Sequence, residues 1–149
     1  MKVKIFTSYF FEALLAAIAL FILFLLKIDL QKTIFLLSQK LGIVFTMYGA
    51  LIALCGGLLF IMINEPDTEF IKWLVKKRAE SSYRNAAMYT LCSLCFGMIF
   101  IGINNIYMNS FGLSVVAIYL VLLNTIQILT MFILINNYIS LKRKWQDLH

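Results

Sequence analysis

Residues 85–141 read NAAMYTLCSLCFGMIFIGINNIYMNSFGLSVVAIYLVLLNTIQILTMFILINNYISL, without one Asp, Glu, Lys, Arg or His. As a single α-helix the run would extend roughly 85 Å at 1.5 Å per residue, against an apolar bilayer core of about 30 Å. It therefore has to turn back once. The polar, helix-weakening stretch from Asn104-Asn105 to Asn109-Ser110-Phe111-Gly112 is where the reversal is expected.

Working outward, two more nearly uncharged runs, Ser8 to Leu26 and Leu41 to Asn64, supply one span each. The expected fold class is an all-α polytopic membrane protein of one domain, residues 1–149. Its spans are expected at about 8–27, 42–64, 86–107 and 112–138, with a loop over 65–85. A transmembrane barrel would need segments of about ten alternating residues. The run from Ala13 to Leu26 does not alternate, and helices satisfy their own backbone inside lipid. Composition agrees: 62% of residues are apolar and 13% charged, with a mean hydropathy of +0.92. A water-facing surface is not built from that mixture. Lys2 and Lys4 precede the first run as in a secretory signal, but no small residue follows Leu26, so an uncleaved first helix is expected.

Basic residues set the expected orientation. Lys2 and Lys4 precede span one; Lys72, Lys76, Lys77, Arg78 and Arg84 lie between spans two and three; Lys142, Arg143 and Lys144 follow span four. Only Lys27, Lys32 and Lys40 fall on the other side. This asymmetry over short loops places both termini and the 65–85 loop in the cytoplasm of a bacterial cell, as a multi-pass inner-membrane protein. The net charge of +6 then belongs mostly to the cytoplasmic face. It attracts anionic headgroups, or docks an acidic or nucleic-acid-bound partner.

Leu30, Ile34, Leu37 and Leu41 fall on one helical stripe, fitting a short amphipathic helix in the outer interface or an extension of a neighbouring span. Asn64-Glu65-Pro66-Asp67-Thr68-Glu69 carries helix-start signals. Phe70, Ile71, Trp73, Leu74 and Val75 follow, then Lys76-Lys77-Arg78. This suits a helix resting on inner headgroups. Trp73, Lys72, Lys76, Lys77, Arg78 and Arg84 are the expected partner-docking face.

Polar groups inside spans are costly enough to need a reason. Glu12 is the only acid in a span, expected one turn inside the cytoplasmic end at the depth of Asn136 and Asn137. It reads as a proton- or cation-linked group, or as an interfacial carboxylate near the basic face. Asn124 and Gln127 share one face near the midplane, as helix-to-helix hydrogen bonding or as the lining of an aqueous path. Gly49, Ala53 and Gly57 form a small-residue stripe that suits close helix packing. Cys92-Ser-Leu-Cys95 with Cys55 cannot make two redox pairs, and the three thiols read as small packing residues. No phosphate loop, zinc-ligand set or catalytic triad appears, so neither enzymatic activity, a metal nor a cofactor is expected.

The layout resembles the small four-helix membrane proteins of bacterial phage-exclusion and defence systems, RexB-like proteins and the KwaA-like subunit of Kiwa systems. The resemblance is carried by Gly49–Phe60, the basic Lys76-Lys77-Arg78, Tyr83-Arg-Asn-Ala-Ala-Met-Tyr-Thr90, and Phe132-Ile-Leu-Ile-Asn-Asn-Tyr138 running into a charged tail. It implies a homo-oligomeric membrane sensor or channel coupled to a cytoplasmic protein partner. Direct nucleic-acid binding is not expected. The main functional expectation is a scaffold or sensor subunit of an antiviral defence system. The alternative is an ion-conducting pore, RexB-like or holin-like, or a small transporter.

Overall fold

The computed structural model describes residues 8–64, 69–77, 79–106 and 110–147. They form six helices in chain order: α1 (Ser8–Leu25), α2 (Leu30–Gln39), α3 (Leu41–Asn64), α4 (Glu69–Lys76), α5 (Glu80–Ile106) and α6 (Phe111–Gln146). No strand occurs among the described residues. Three helices, α3, α5 and α6, are long and apolar enough to cross a membrane. A fourth span is reached if α1 and α2, bent by 117° at their junction, are counted as one.

The break between α1 and α2 has a clear local origin. Lys27 takes a positive φ of 53°, its N–H bonds the Phe24 carbonyl at 3.0 Å, and the Ile28 N–H bonds the Leu23 carbonyl at 3.1 Å. This left-handed closure satisfies carbonyls that the helix end would leave unpaired. Asp29 then caps α2, its carboxylate accepting from the Lys32 N–H at 3.1 Å. α1 therefore ends at Leu25, short of the expected residue 27, and α2 is a distinct helix set at a sharp angle to it. Its stripe is buried: Leu30 and Ile34 pack with Ala117 and Ile118 of α6, and Leu37 is partly covered.

α6 is the organising element, packed against α1, α2, α3 and α5. It runs antiparallel to α1, since Phe24 meets Phe111 while Glu12 meets Gln127 and Thr130. It also runs antiparallel to α5, where Ser93 meets Gln127 and Tyr83 meets Tyr138. Leu51 of α3 packs with Leu94 and Ile101 of α5 in the middle of the bundle.

The bundle wears its apolar side chains outward. Phe10, Phe21, Phe60, Phe96, Leu129 and Ile133 are all exposed, a surface that water would not tolerate. Exposed Thr46 and Thr125 return their hydroxyls to carbonyls one turn back, Gly42 and Val121, each at 2.8 Å. Such back-bonding spares an outward hydroxyl the need for water.

Several boundaries differ from the sequence-based expectation. Residues 80–85 belong to α5 and not to a loop, because Glu80 suits a helix N-terminus and pairs with Arg84 one turn on at 3.1 Å. α6 continues past residue 138, because Leu141 and Trp145 extend the face of Tyr138 onto the same core. The stripe Gly49, Ala53 and Gly57 does not pack within the chain. All three are exposed, and a Cβ on either glycine would meet nothing within 4 Å. Cys92 and Cys95 likewise face outward, and only Cys55 is a buried packing residue. The start signals Glu65 to Thr68, and Arg78, lie outside the described residues.

Candidate functional site: a polar core inside the helix bundle

Halfway along α5, Ser93 projects into the bundle. Its hydroxyl has one hydrogen and three acceptors around it: Gln127 Oε1 at 2.6 Å, the Thr90 carbonyl at 2.9 Å and Asn124 Oδ1 at 3.2 Å. Asn124 and Gln127, one helical turn apart on α6, share the face that the 3.6-residue period gives them. Both are fully buried. Asn124 Nδ2 donates to the Tyr48 hydroxyl of α3 at 2.9 Å, so the network reaches a third helix.

Gly97, one turn beyond Ser93, makes room for that crossing. A Cβ there would lie 2.5 Å from Asn124 Nδ2 and 3.1 Å from Tyr48 Oη. A side chain at this position and the Asn124–Tyr48 hydrogen bond exclude one another.

α1 supplies the charge-capable group. Glu12 is 3% exposed, and its carboxyl stands within electrostatic reach of the Thr130 hydroxyl and the Gln127 amide. Thr130 also donates to the Gln127 backbone carbonyl at 3.2 Å. Gln127 Nε2 is buried and closes no hydrogen bond of full geometry. Glu12 is therefore not level with Asn136 and Asn137, which are both exposed. α6 extends more than a turn past the start of α1, so Glu12 meets the middle of α6. Asn104 and Ser114 make a looser contact, 3.5 Å, nearer the α2 end.

Sequence reasoning named Glu12, Asn124 and Gln127, and the fold brings Glu12 and Gln127 together. It missed Tyr48, Ser93, Thr130 and Gly97. The available signal was Ser93 and Gly97 four residues apart on one face of α5, in a helix otherwise apolar there.

At the α4 end lies a second, aromatic cluster. Phe70 is its centre, stacked on Trp73 with ring centroids 6.0 Å apart, edge-on to Tyr138 at 5.6 Å and tilted against Trp145 at 5.9 Å. Tyr83 meets Tyr138 at 5.7 Å. Such ring pairs add about 0.5–1.5 kcal/mol beyond area burial. Trp73 is thus partly buried in the core, while Lys72, Lys76, Lys77 and Arg84 are exposed around it.

These features define a chain that is helical throughout its described residues, with three to four helices able to cross a membrane, apolar outside and with a polar cluster in a largely apolar core. No family model, curated protein or solved structure matches the chain.

Proposed function

We propose that the chain is a multi-pass protein of the bacterial inner membrane, with four spans and both termini in the cytoplasm. It serves there as a non-enzymatic scaffold or sensor subunit that signals to a soluble partner protein. The observation carrying this reading is the division of polar groups. Inside the bundle they are turned onto one another across α1, α3, α5 and α6, which closes the interior of a single chain. The exposed bases Lys72, Lys76, Lys77 and Arg84 gather instead on α4 and the first turn of α5. α4 itself is clamped by Phe70, Ile71 and Leu74, all buried. That gives a firm basic platform suited to an acidic protein surface.

The defence setting rests on the resemblance of residues 49–60, 76–78, 83–90 and 132–138 to membrane proteins of phage-exclusion systems. The exposed stripe Gly49, Ala53 and Gly57 suits contact between copies of the chain. The test is reconstitution. Purified protein in liposomes passes no ions by itself, and a strain carrying the gene with its neighbours plates phage less efficiently. Charge reversal at Lys72, Lys76 and Lys77 abolishes that protection while the protein stays in the membrane. Ion flux from the chain alone, altered by Glu12→Gln or Asn124→Leu, would establish the pore reading in its place.

A further inference from the structure

We propose that Glu12 is the proton-binding group of an intramembrane site, and that its occupancy sets the direction of the hydrogen bond between Gln127 and Ser93 and so the acceptor of the Ser93 hydroxyl. The proposal rests on the membrane-spanning reading of the bundle.

Glu12 is the only acid in α1, and α3 has none. Among the described residues it faces no counter-charge. α6, the helix α1 packs against, brings it the neutral side chains Gln127 and Thr130. The nearest phenol on α6, Tyr119, donates to the Ala13 carbonyl at 3.4 Å. Tyr138 lies in the aromatic cluster, and Lys142, Arg143 and Lys144 begin about 18 Å along the helix from Thr130. An ionised carboxylate in that position has only neutral dipoles to replace water.

The amide beside it has two usable orientations. With Nε2 toward Glu12, Gln127 serves a carboxylate. Its Oε1 then competes with Asn124 Oδ1 and the Thr90 carbonyl for the single Ser93 hydrogen. Turned over, Oε1 accepts from the O–H of a protonated Glu12, and Nε2 donates to Ser93 Oγ. The Ser93 hydrogen is then released to Asn124 Oδ1, and Asn124 Nδ2 still donates to Tyr48. In that second arrangement the Gln127 nitrogen, which closes no full hydrogen bond in the first, gains an acceptor in Ser93 Oγ. The only bond made is between one carboxylate oxygen and one proton taken from water. Uptake at α1 is thereby read out at Ser93 of α5, whose hydroxyl changes its acceptor.

Infrared difference spectroscopy on the full chain in liposomes, stepped from alkaline to acid pH, tests this. A carbonyl band of a protonated carboxylic acid in apolar surroundings, at higher frequency than that of the six other Asp and Glu side chains, is expected to grow in as pH falls, together with a change in a glutamine side-chain amide band. Glu12→Gln removes the acid band. Glu12→Asp keeps an acid band at a new position and serves as the folded control. Gln127→Leu keeps the acid band and loses the amide change. An acid band that is constant across pH, absent throughout, or retained in Glu12→Gln overturns the proposal. A titrating acid band with a silent amide overturns the coupling. Failure of the membrane reading shows itself separately, as release of the chain from membranes by an alkaline wash.

Discussion

A Cβ placed on Gly97 would stand 2.5 Å from the amide nitrogen of Asn124, so the two residues on α5 and α6 are matched as socket and plug. Gly97→Ala must either push the helices apart or expel the Asn124 side chain from Tyr48. The expected loss is about 1–3 kcal/mol, the usual range for overpacking. Thermal unfolding in detergent should show a lower midpoint for Gly97→Ala. Much of it should return in Gly97→Ala/Asn124→Ala, where the colliding amide is gone.

The hydrogen bond itself can be weighed separately. Tyr48→Phe and Asn124→Leu should be less than additive, with a coupling of roughly 0.6–2 kcal/mol. The measurement is a double-mutant cycle on unfolding in mixed micelles. A coupling of zero would mean that the 2.9 Å contact contributes nothing net.

Lys27 closes α1 in a conformation that glycine adopts without strain. Lys27→Gly should stabilise the protein by about 1 kcal/mol, and Lys27→Val should destabilise it, because a β-branched side chain fits the left-handed region worst. Unfolding midpoints of the two variants should bracket the parent. Equal midpoints would show that the turn is held by packing alone.

Phe70→Ala removes the ring on which Trp73, Tyr138 and Trp145 all rest. A loss of about 3–5 kcal/mol is expected for truncating a buried aromatic ring, concentrated on α4. α4 should become a preferred cleavage site in limited proteolysis of inverted membrane vesicles, while the long helices stay protected. Phe70→Leu should restore most of the protection.

The proposed orientation predicts labelling on opposite sides of the membrane. In a background in which Cys55, Cys92 and Cys95 are changed to Ala, a cysteine at position 32 should react with an impermeant maleimide in whole cells. Cysteines at positions 77 and 144 should react only after the inner face is opened. The reverse pattern would invert the topology.

How much of this could be read from sequence depends on what each feature needs. The charge-free run over 85–141 is too long for a single bilayer-length helix, and it divides into α5 and α6 as that length requires. The stripe through Leu30 and Ile34 is periodic, and it is the face that α6 covers. Asn124 and Gln127 share a face by spacing alone. Tyr48 was not legible because α3 is apolar nearly all round, and Ser93 and Gly97 were marked only by their four-residue spacing on one face of α5. The small residues of α3, Gly49, Ala53 and Gly57, are exposed rather than packed within the chain, and the glycine needed for close approach inside the bundle is Gly97, where an amide crosses between helices. Trp73, expected on a docking face, is also part of a ring cluster whose other members come from α4, α5 and α6. The boundaries at Glu80 and beyond Tyr138 moved because charged helix ends extend past the hydrocarbon they flank.

α6 is twice as long as α1, 36 residues against 18. At 1.5 Å per residue it measures about 54 Å, well beyond the apolar thickness of a bilayer. One end carries the α2 contact, its centre the amides facing Glu12 and Ser93, and its far end the rings that hold α4. It runs without a proline or internal break and packs against α1, α2, α3 and α5. A small tilt about its middle is carried over roughly 27 Å of arm to each side, so it would shift together the α2 contact and the rings that hold α4.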